Sequence, residues 1–260
     1  MIDIYAVYIF LLGLIWGSFA NVVIYRLPLK KSVVKPPSSC PKCKKNIAWH
    51  DNIPVLSWIF LKGMCRHCKN KISVRYPIVE LLMAIMFTSI YIKFGFQWYL
   101  LELIILTFGL ISISFIDLDH MIIPDVLSLG GIVVGLFGGL LNPDRSIIDA
   151  FLGILFGGGF FWLTAYLYFI LKKQEGLGGG DIKLLAWIGA VLGWKAIPFI
   201  ILVSSFVGLL FGGLILLISK KKLNQAIPFG PYIVVATFLY LFFGATLTSW
   251  YFNLFFMSTI

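Results

Sequence analysis

Long apolar runs alternate with short polar breaks along nearly the whole chain. Residues 4–25 form the first run. A polar stretch follows at 26–76, and then come runs at 77–94, 98–116, 122–141, 147–171, 182–193, 198–219 and 228–256. A helix needs about 20 apolar residues to cross a hydrocarbon layer of about 30 Å, and most of these runs approach that length. The pattern predicts an all-α polytopic membrane protein with about eight transmembrane helices. Residues 1–25 are the first of them, 26–76 a small module outside the membrane, and 77–260 a seven-helix membrane core. The sixth and seventh runs have the least sharp boundary, because only Trp194-Lys195 and Pro198 separate them. The first run has no basic segment ahead of it and no small-residue cleavage site, which predicts a retained span.

Composition supports the membrane reading. Hydrophobic residues make up 60% of the 260 and charged residues 12%, with a mean hydropathy of +0.97. Soluble domains carry about 25% charged residues. The net charge of +10 is unevenly spread. Twelve of the 21 Lys and Arg lie between Arg26 and Arg75, and Lys172, Lys173, Lys183 and Lys220 to Lys222 add six more. With the N-terminus outside, these eighteen all fall on the cytoplasmic side, and Lys93, Arg145 and Lys195 fall on the other. That is the positive-inside bias. It requires no nucleic-acid partner.

Two acidic breaks then stand out. One is Phe115-Ile116-Asp117-Leu118-Asp119-His120 running to Pro124-Asp125, and the other is Gly176-Leu177-Gly178-Gly179-Gly180-Asp181-Ile182-Lys183. In this topology Asp117 ends an inward helix and Asp181 opens an outward one, so both carboxylates fall at the cytoplasmic face. Acids so close to lipid are costly and usually functional. Two neighbouring carboxylates cannot both ionise easily, so one can hold a proton while the other acts as base. Asp117 and Asp181 are therefore expected to meet as an aspartyl-protease pair. Gly178 and Gly180 would let a substrate strand approach the backbone; the bland alternative is a loop ending in an Asp N-cap. Asp125 reads first as a helix cap, Asp119 as an interfacial residue, and Glu102 and Asp149 as acids near the outer interface. Glu80 reads as a partner for Arg75 or as a groove residue.

The polar stretch holds Cys40-Pro41-Lys42-Cys43 and Cys65-Arg66-His67-Cys68. Two Cys-x-x-Cys pairs suit tetrahedral Zn²⁺. Disulfides are the alternative, disfavoured in a reducing cytoplasm. With four thiolates closing the site, His50 and His67 read as surface residues.

Taken in order, the chain resembles the type IV prepilin peptidase family. The resemblance is carried by Gly17-Ser18-Phe19-Ala20-Asn21 through Arg26-Leu27-Pro28, Ser39-Cys40-Pro41, Asn52-Ile53-Pro54, Ser57-Trp58 and Cys65-Arg66. It continues through Arg75-Tyr76-Pro77, Glu80, Asp117 to Asp125, and Gly178-Gly179-Gly180-Asp181-Ile182-Lys183. The resemblance implies a GxGD aspartyl protease of the inner or plasma membrane with Asp117 and Asp181 catalytic. Gly178, Gly180, Asp125 and Lys183 would be accessory or substrate-binding. Its substrates would be prepilins and pseudopilins, cut after a glycine that ends a short basic leader. It also implies N-methylation of the new N-terminal residue with S-adenosylmethionine, an activity linked to the cysteine-bearing loop, though no glycine fingerprint marks the methyl-donor site. The residues alone leave two alternatives open: a GxGD protease without methyl transfer, and a proton-coupled transporter with a zinc-ribbon loop.

Overall fold

The computed structural model describes residues 3–142, 145–174, 178–214 and 228–256. All regular elements within them are helical, apart from isolated β-bridges. We number them α1 (Ile4–Arg26), α2 (Leu56–Phe60), α3 (Arg75–Phe94), α4 (Trp98–His120), α5 (Asp125–Leu141), α6 (Ile147–Lys172), α7 (Gly179–Leu192), α8 (Ala196–Gly212) and α9 (Gly230–Phe256). Among the described residues α1, α3, α4 and α6 are long and apolar enough to cross a membrane. Three further apolar stretches, Asp125–Leu141, Ala196–Gly212 and Gly230–Gly244, are shorter. The expected inward end of the seventh run at Lys220 to Lys222 lies outside the described residues, as do Gly176 and Leu177 of the glycine run.

Contacts divide the chain into two compact units, Met1–Ile116 and Asp117–Ile260. This cut differs from the division at residue 76 expected from polarity, because α1 and α3 pack on each other across the polar loop. In the first unit Gly13 and Gly17 of α1 lie against the backbone of Ala84 and Glu80. With no side chain between them the two helices meet backbone to backbone, the arrangement that favours association in lipid. Asp3 caps α1 by accepting the Tyr5 N–H at 3.0 Å, and its other oxygen accepts the Tyr91 hydroxyl at 2.7 Å. Glu102, expected at an interface, is buried at 6% exposure. Glu80 turns to the loop rather than to Arg75: its Oε2 accepts the Val55 N–H at 2.7 Å.

In the second unit α7 is the core. Every residue from Leu184 to Val191 is buried, as expected of a helix apolar on all sides. It packs on α5 and α6, with Gly153 and Gly189 in backbone contact and Trp187 lying over Gly131. A π-helical turn interrupts α6 at Leu155–Gly159, where Gly157 and Gly158 face Leu185 and Ala186. The Arg145 guanidinium donates to the carbonyls of Val191 and, at 2.9 Å, Gly135, tying α7 to α5. α8 packs on α9 and touches α7. Asp149 stays at the exposed start of α6, where its N–H is capped by Ser146 Oγ at 3.1 Å.

Candidate active site and metal centre

α4 stops just beyond Asp117. The Met121 N–H returns to the Asp117 carbonyl at 2.8 Å, and Met121 takes a left-handed φ of 54° that ends the helix. The chain then runs to Pro124, where α5 begins. α7 starts at Gly179, three residues earlier than a cap at Asp181 would place it, so Asp181 sits inside the first turn. The free N–H groups and positive dipole end of that turn favour an anion there.

The glycines explain how the two segments approach. A methyl group at Gly180 would lie 2.9 Å from Ile123 Cβ, so only glycine lets the start of α7 rest on the segment after α4. A methyl group at Gly178 would lie 2.9 Å from Asp181 Oδ2 and would displace that carboxylate.

Asp117 and Asp181 thereby line one cleft of about 280 Å³, together with Met121, Ile122, Ile123, Asp125, Gly178, Gly179, Gly180 and Lys183. Asp117 is buried, Asp181 is half-buried, and the two are near enough for one charge to act on the other. Asp125 stands in the first turn of α5 but makes no cap. Its carboxylate pairs instead with Lys183 Nζ at 2.6 Å, with both groups partly exposed. Asp119 is exposed and does not line the cleft. One participant escaped the sequence reading: the Gly230 N–H, at the start of α9, donates to Asp117 Oδ2 at 2.9 Å. The only sequence signal for it is a Gly-Pro pair where an apolar run begins.

The four cysteines form a second centre, in the first unit. Cys40 and Cys65 head two matching turns. The Lys44 N–H bonds to the Cys40 carbonyl at 2.9 Å and the Lys69 N–H to the Cys65 carbonyl at 3.0 Å. Lys44 and Lys69 both take left-handed φ, and the bridges Ser39–Asn46 and Met64–Lys71 close the two ribbons. All four Sγ atoms lie within 4.8 Å of one another, with Cys40 and Cys68 Sγ 3.7 Å apart. Tetrahedral Zn–S bonds of about 2.3 Å place sulfurs about 3.8 Å apart, so the cluster fits a metal. N–H groups of Cys43 and Lys42 lower the Cys40 thiol to about 6. Cys68 is pushed up to about 11: the Asn70 N–H favours its thiolate, but desolvation and the neighbouring sulfurs of Cys40, Cys43 and Cys65 outweigh it. A divalent cation reverses that repulsion. No histidine joins the group among the described residues.

Comparison with known proteins matches both halves. Residues 11–94 fit the bacterial peptidase A24 N-terminal domain, and residues 104–213 fit the type IV leader peptidase family. A protein of Aeromonas salmonicida named prepilin leader peptidase/N-methyltransferase is 38% identical, over 94% of this chain and 92% of its own. Proteins of the same name from Pseudomonas aeruginosa, 37% identical over 93% of this chain and 91% of theirs, and from Legionella pneumophila, 35% identical over 93% and 92%, are similar throughout. No solved structure matches. With both halves matched and relatives alike along nearly their full length, this multi-pass membrane chain belongs to the type IV prepilin leader peptidase/N-methyltransferase family.

Proposed function

We propose that the chain acts as its relatives are named, as a prepilin leader peptidase and N-methyltransferase, with Asp117 and Asp181 as the cleaving pair. The observation that carries this reading is that one cleft is lined by both carboxylates, drawn from distant parts of the chain. A water between them attacks the scissile carbonyl. One carboxylate takes the water proton and the other delivers a proton to the departing amide nitrogen, so the C–N bond breaks with the proton count balanced. The pair titrates as a unit. Gly178 and Gly180 keep the cleft floor low enough for an extended substrate, and the Asp125–Lys183 pair borders it. The substrate is a prepilin or pseudopilin with a short basic leader followed by an apolar helix. That helix stays in the bilayer while the leader is cut at the cytoplasmic face of the inner or plasma membrane.

In this reading eight helices span the membrane, and residues 26–76 are a cytoplasmic module linked to methyl transfer. Cys40, Cys43, Cys65 and Cys68 would hold one structural Zn²⁺, folding a segment too short for a core of its own. S-adenosylmethionine would supply the methyl group when bound, its S–CH₃ bond breaking and S-adenosylhomocysteine leaving as the N–CH₃ bond forms and the exposed N-terminal amine gives up a proton. Incubating the purified protein with a prepilin and the methyl donor tests this by mass spectrometry. The expected product lacks the leader and carries one added methyl group; an intact precursor would refute the cleavage, and a cut, unmethylated product would refute the second activity.

A further inference from the structure

The first unit contains a cavity of about 490 Å³ that neither carboxylate of the cleaving pair lines. One wall is a single face of α1, bearing Ile15, Phe19, Val22 and Arg26; the other is loop, bearing Val34 and Ser38. Ile15 stands at the middle of α1 and Arg26 in its last turn. At 1.5 Å per residue the two are about 16 Å apart along the helix, the depth of one leaflet of a hydrocarbon layer about 30 Å thick. The cavity therefore follows α1 from the middle of the membrane to its surface. Spread over that length, its volume gives a cross-section of about 30 Å², against about 80 Å² for a helix 10 Å across. It is wide enough for a hydrocarbon chain and too slender for a second helix.

The charge sits at the surface end. Among the described residues that line the cavity Arg26 alone is charged. Its Nη1 donates to the Ser32 carbonyl at 3.1 Å, which fixes the guanidinium in place, and a guanidinium has more donors than that bond uses. Deeper in, Phe19 is fixed by stacking on Phe108, with centroids 5.9 Å apart and planes at 13°. Glu80 stands behind Ser18, buried at 7% exposure, where it accepts the Val55 N–H and hydrogen-bonds Ser18. Ser18 lies about two helical turns from Arg26, so the cationic end keeps its charge.

The loop carries the same signature. Residues 26–75 hold twelve Lys and Arg and a single acid, Asp51, which Arg66 clamps, Nε to Oδ2 at 2.7 Å. The stretch also turns apolar side chains outward: Trp49, Phe60 and Val34 are 82, 79 and 78% exposed. Tryptophan and other apolar groups among lysines suit a membrane surface, and a basic stretch beside a membrane span is drawn to anionic lipid. We propose that the cavity holds one anionic phospholipid, its phosphate on Arg26 and one acyl chain along Val22, Phe19 and Ile15. A guanidinium with no carboxylate beside it matches a headgroup of net negative charge, such as phosphatidylglycerol. The ammonium of phosphatidylethanolamine or phosphatidylcholine finds no counter-charge there. The lipid seals the gap between α1 and the loop and holds the cysteine module against the membrane surface. Its binding requires neither cleavage nor methyl transfer.

The test uses full-length protein purified in mild detergent from membranes of phosphatidylglycerol and phosphatidylethanolamine, with retained lipid counted by native mass spectrometry. Wild type should keep one phosphatidylglycerol per chain in preference to phosphatidylethanolamine. Arg26→Ala should cut that retention about tenfold, as the loss of a charge-assisted contact does; Arg26→Lys should recover part of it, and Val22→Trp, which fills the cavity, should abolish it. Lys45→Ala removes a loop charge that does not line the cavity and should keep the lipid. A loss there equal to that of Arg26→Ala would show diffuse attraction alone and overturn the site. Photolabelling of the wild type needs no variant to fold: phosphatidylglycerol with a diazirine in its acyl chain should label residues 15–22 ahead of the other spans. Labelling spread evenly over the spans, or equal retention of phosphatidylethanolamine, overturns the proposal. So does displacement of the lipid by a prepilin peptide, which would give the cavity to substrate, or by S-adenosylmethionine, which would give it to the methyl donor.

Discussion

Gly230→Ala separates catalysis from folding. Gly230 is the first residue of α9, and its N–H bonds to Asp117 Oδ2 at 2.9 Å. A Cβ there would lie 2.8 Å from that oxygen and 3.3 Å from Asp117 Cγ, closer than atoms in contact tolerate. The carboxylate must swing away, and the bond is lost or lengthened. A hydrogen bond to a charged group is worth about 1.5–3 kcal/mol, which is about 10- to 100-fold in rate if the transition state needs Asp117 where it now sits. Alanine in a helix is otherwise favoured over glycine by up to about 1 kcal/mol, so stability should hardly fall. The control is Gly130→Ala on α5, where a Cβ meets nothing within 4 Å. It gains the same helix preference without touching the cleft. The assay is kcat/KM on a synthetic prepilin peptide beside Tm in the same detergent. Gly230→Ala should lose about 10- to 100-fold in kcat/KM with Tm near wild type, while Gly130→Ala keeps both. Full activity in Gly230→Ala, or a loss matched by lost folded protein, would refute the reasoning.

Three further outcomes follow from the same geometry. Asp125→Asn breaks a partly exposed ion pair worth at most about 1 kcal/mol, so Tm should hold while KM for the peptide changes, because the pair borders the cleft. Gly17→Ala sets a Cβ 2.5 Å from Glu80 Cα, where neither backbone can yield; overpacking of about 1–3 kcal/mol should lower Tm with the metal still bound. Metal should be held at neutral pH and released in acid, because each cysteine ligand must be a thiolate and protons compete with the metal for it. The sign follows from linkage. The lowered Cys40 value stabilises the metal-free fold fully above about pH 9, and that contribution is lost as pH falls to about 6. Metal content by mass spectrometry from neutral pH down into acid checks it, and full metal content at the acid end would contradict it.

Much of this was legible in the residue pattern. Among the described residues each apolar run carries a helix, although only α1, α3, α4 and α6 are long and apolar enough to cross a membrane, and the four cysteines converged because two matching turns leave their sulfurs on the inside. Chemistry carried by backbone was not legible. The Gly230 N–H reaches Asp117 across 113 residues with no side chain to announce it. Glu80 looked like a partner for Arg75 because the two are neighbours in sequence. It chose the Val55 N–H because the loop folds back over α3. α7 begins three residues before the apolar run does, since glycines read as loop until packing on Ile123 makes them helical.

The most direct measurement compares wild type with Asp117→Asn and Asp181→Asn, each given an intact prepilin and, separately, a pilin peptide already cut. We expect each variant to lose at least about 1,000-fold in cleavage, of the order of losing a whole catalytic group, while still methylating the cut peptide. Cleavage retained by either variant at near the wild-type rate would remove that carboxylate from the chemistry and contradict the account.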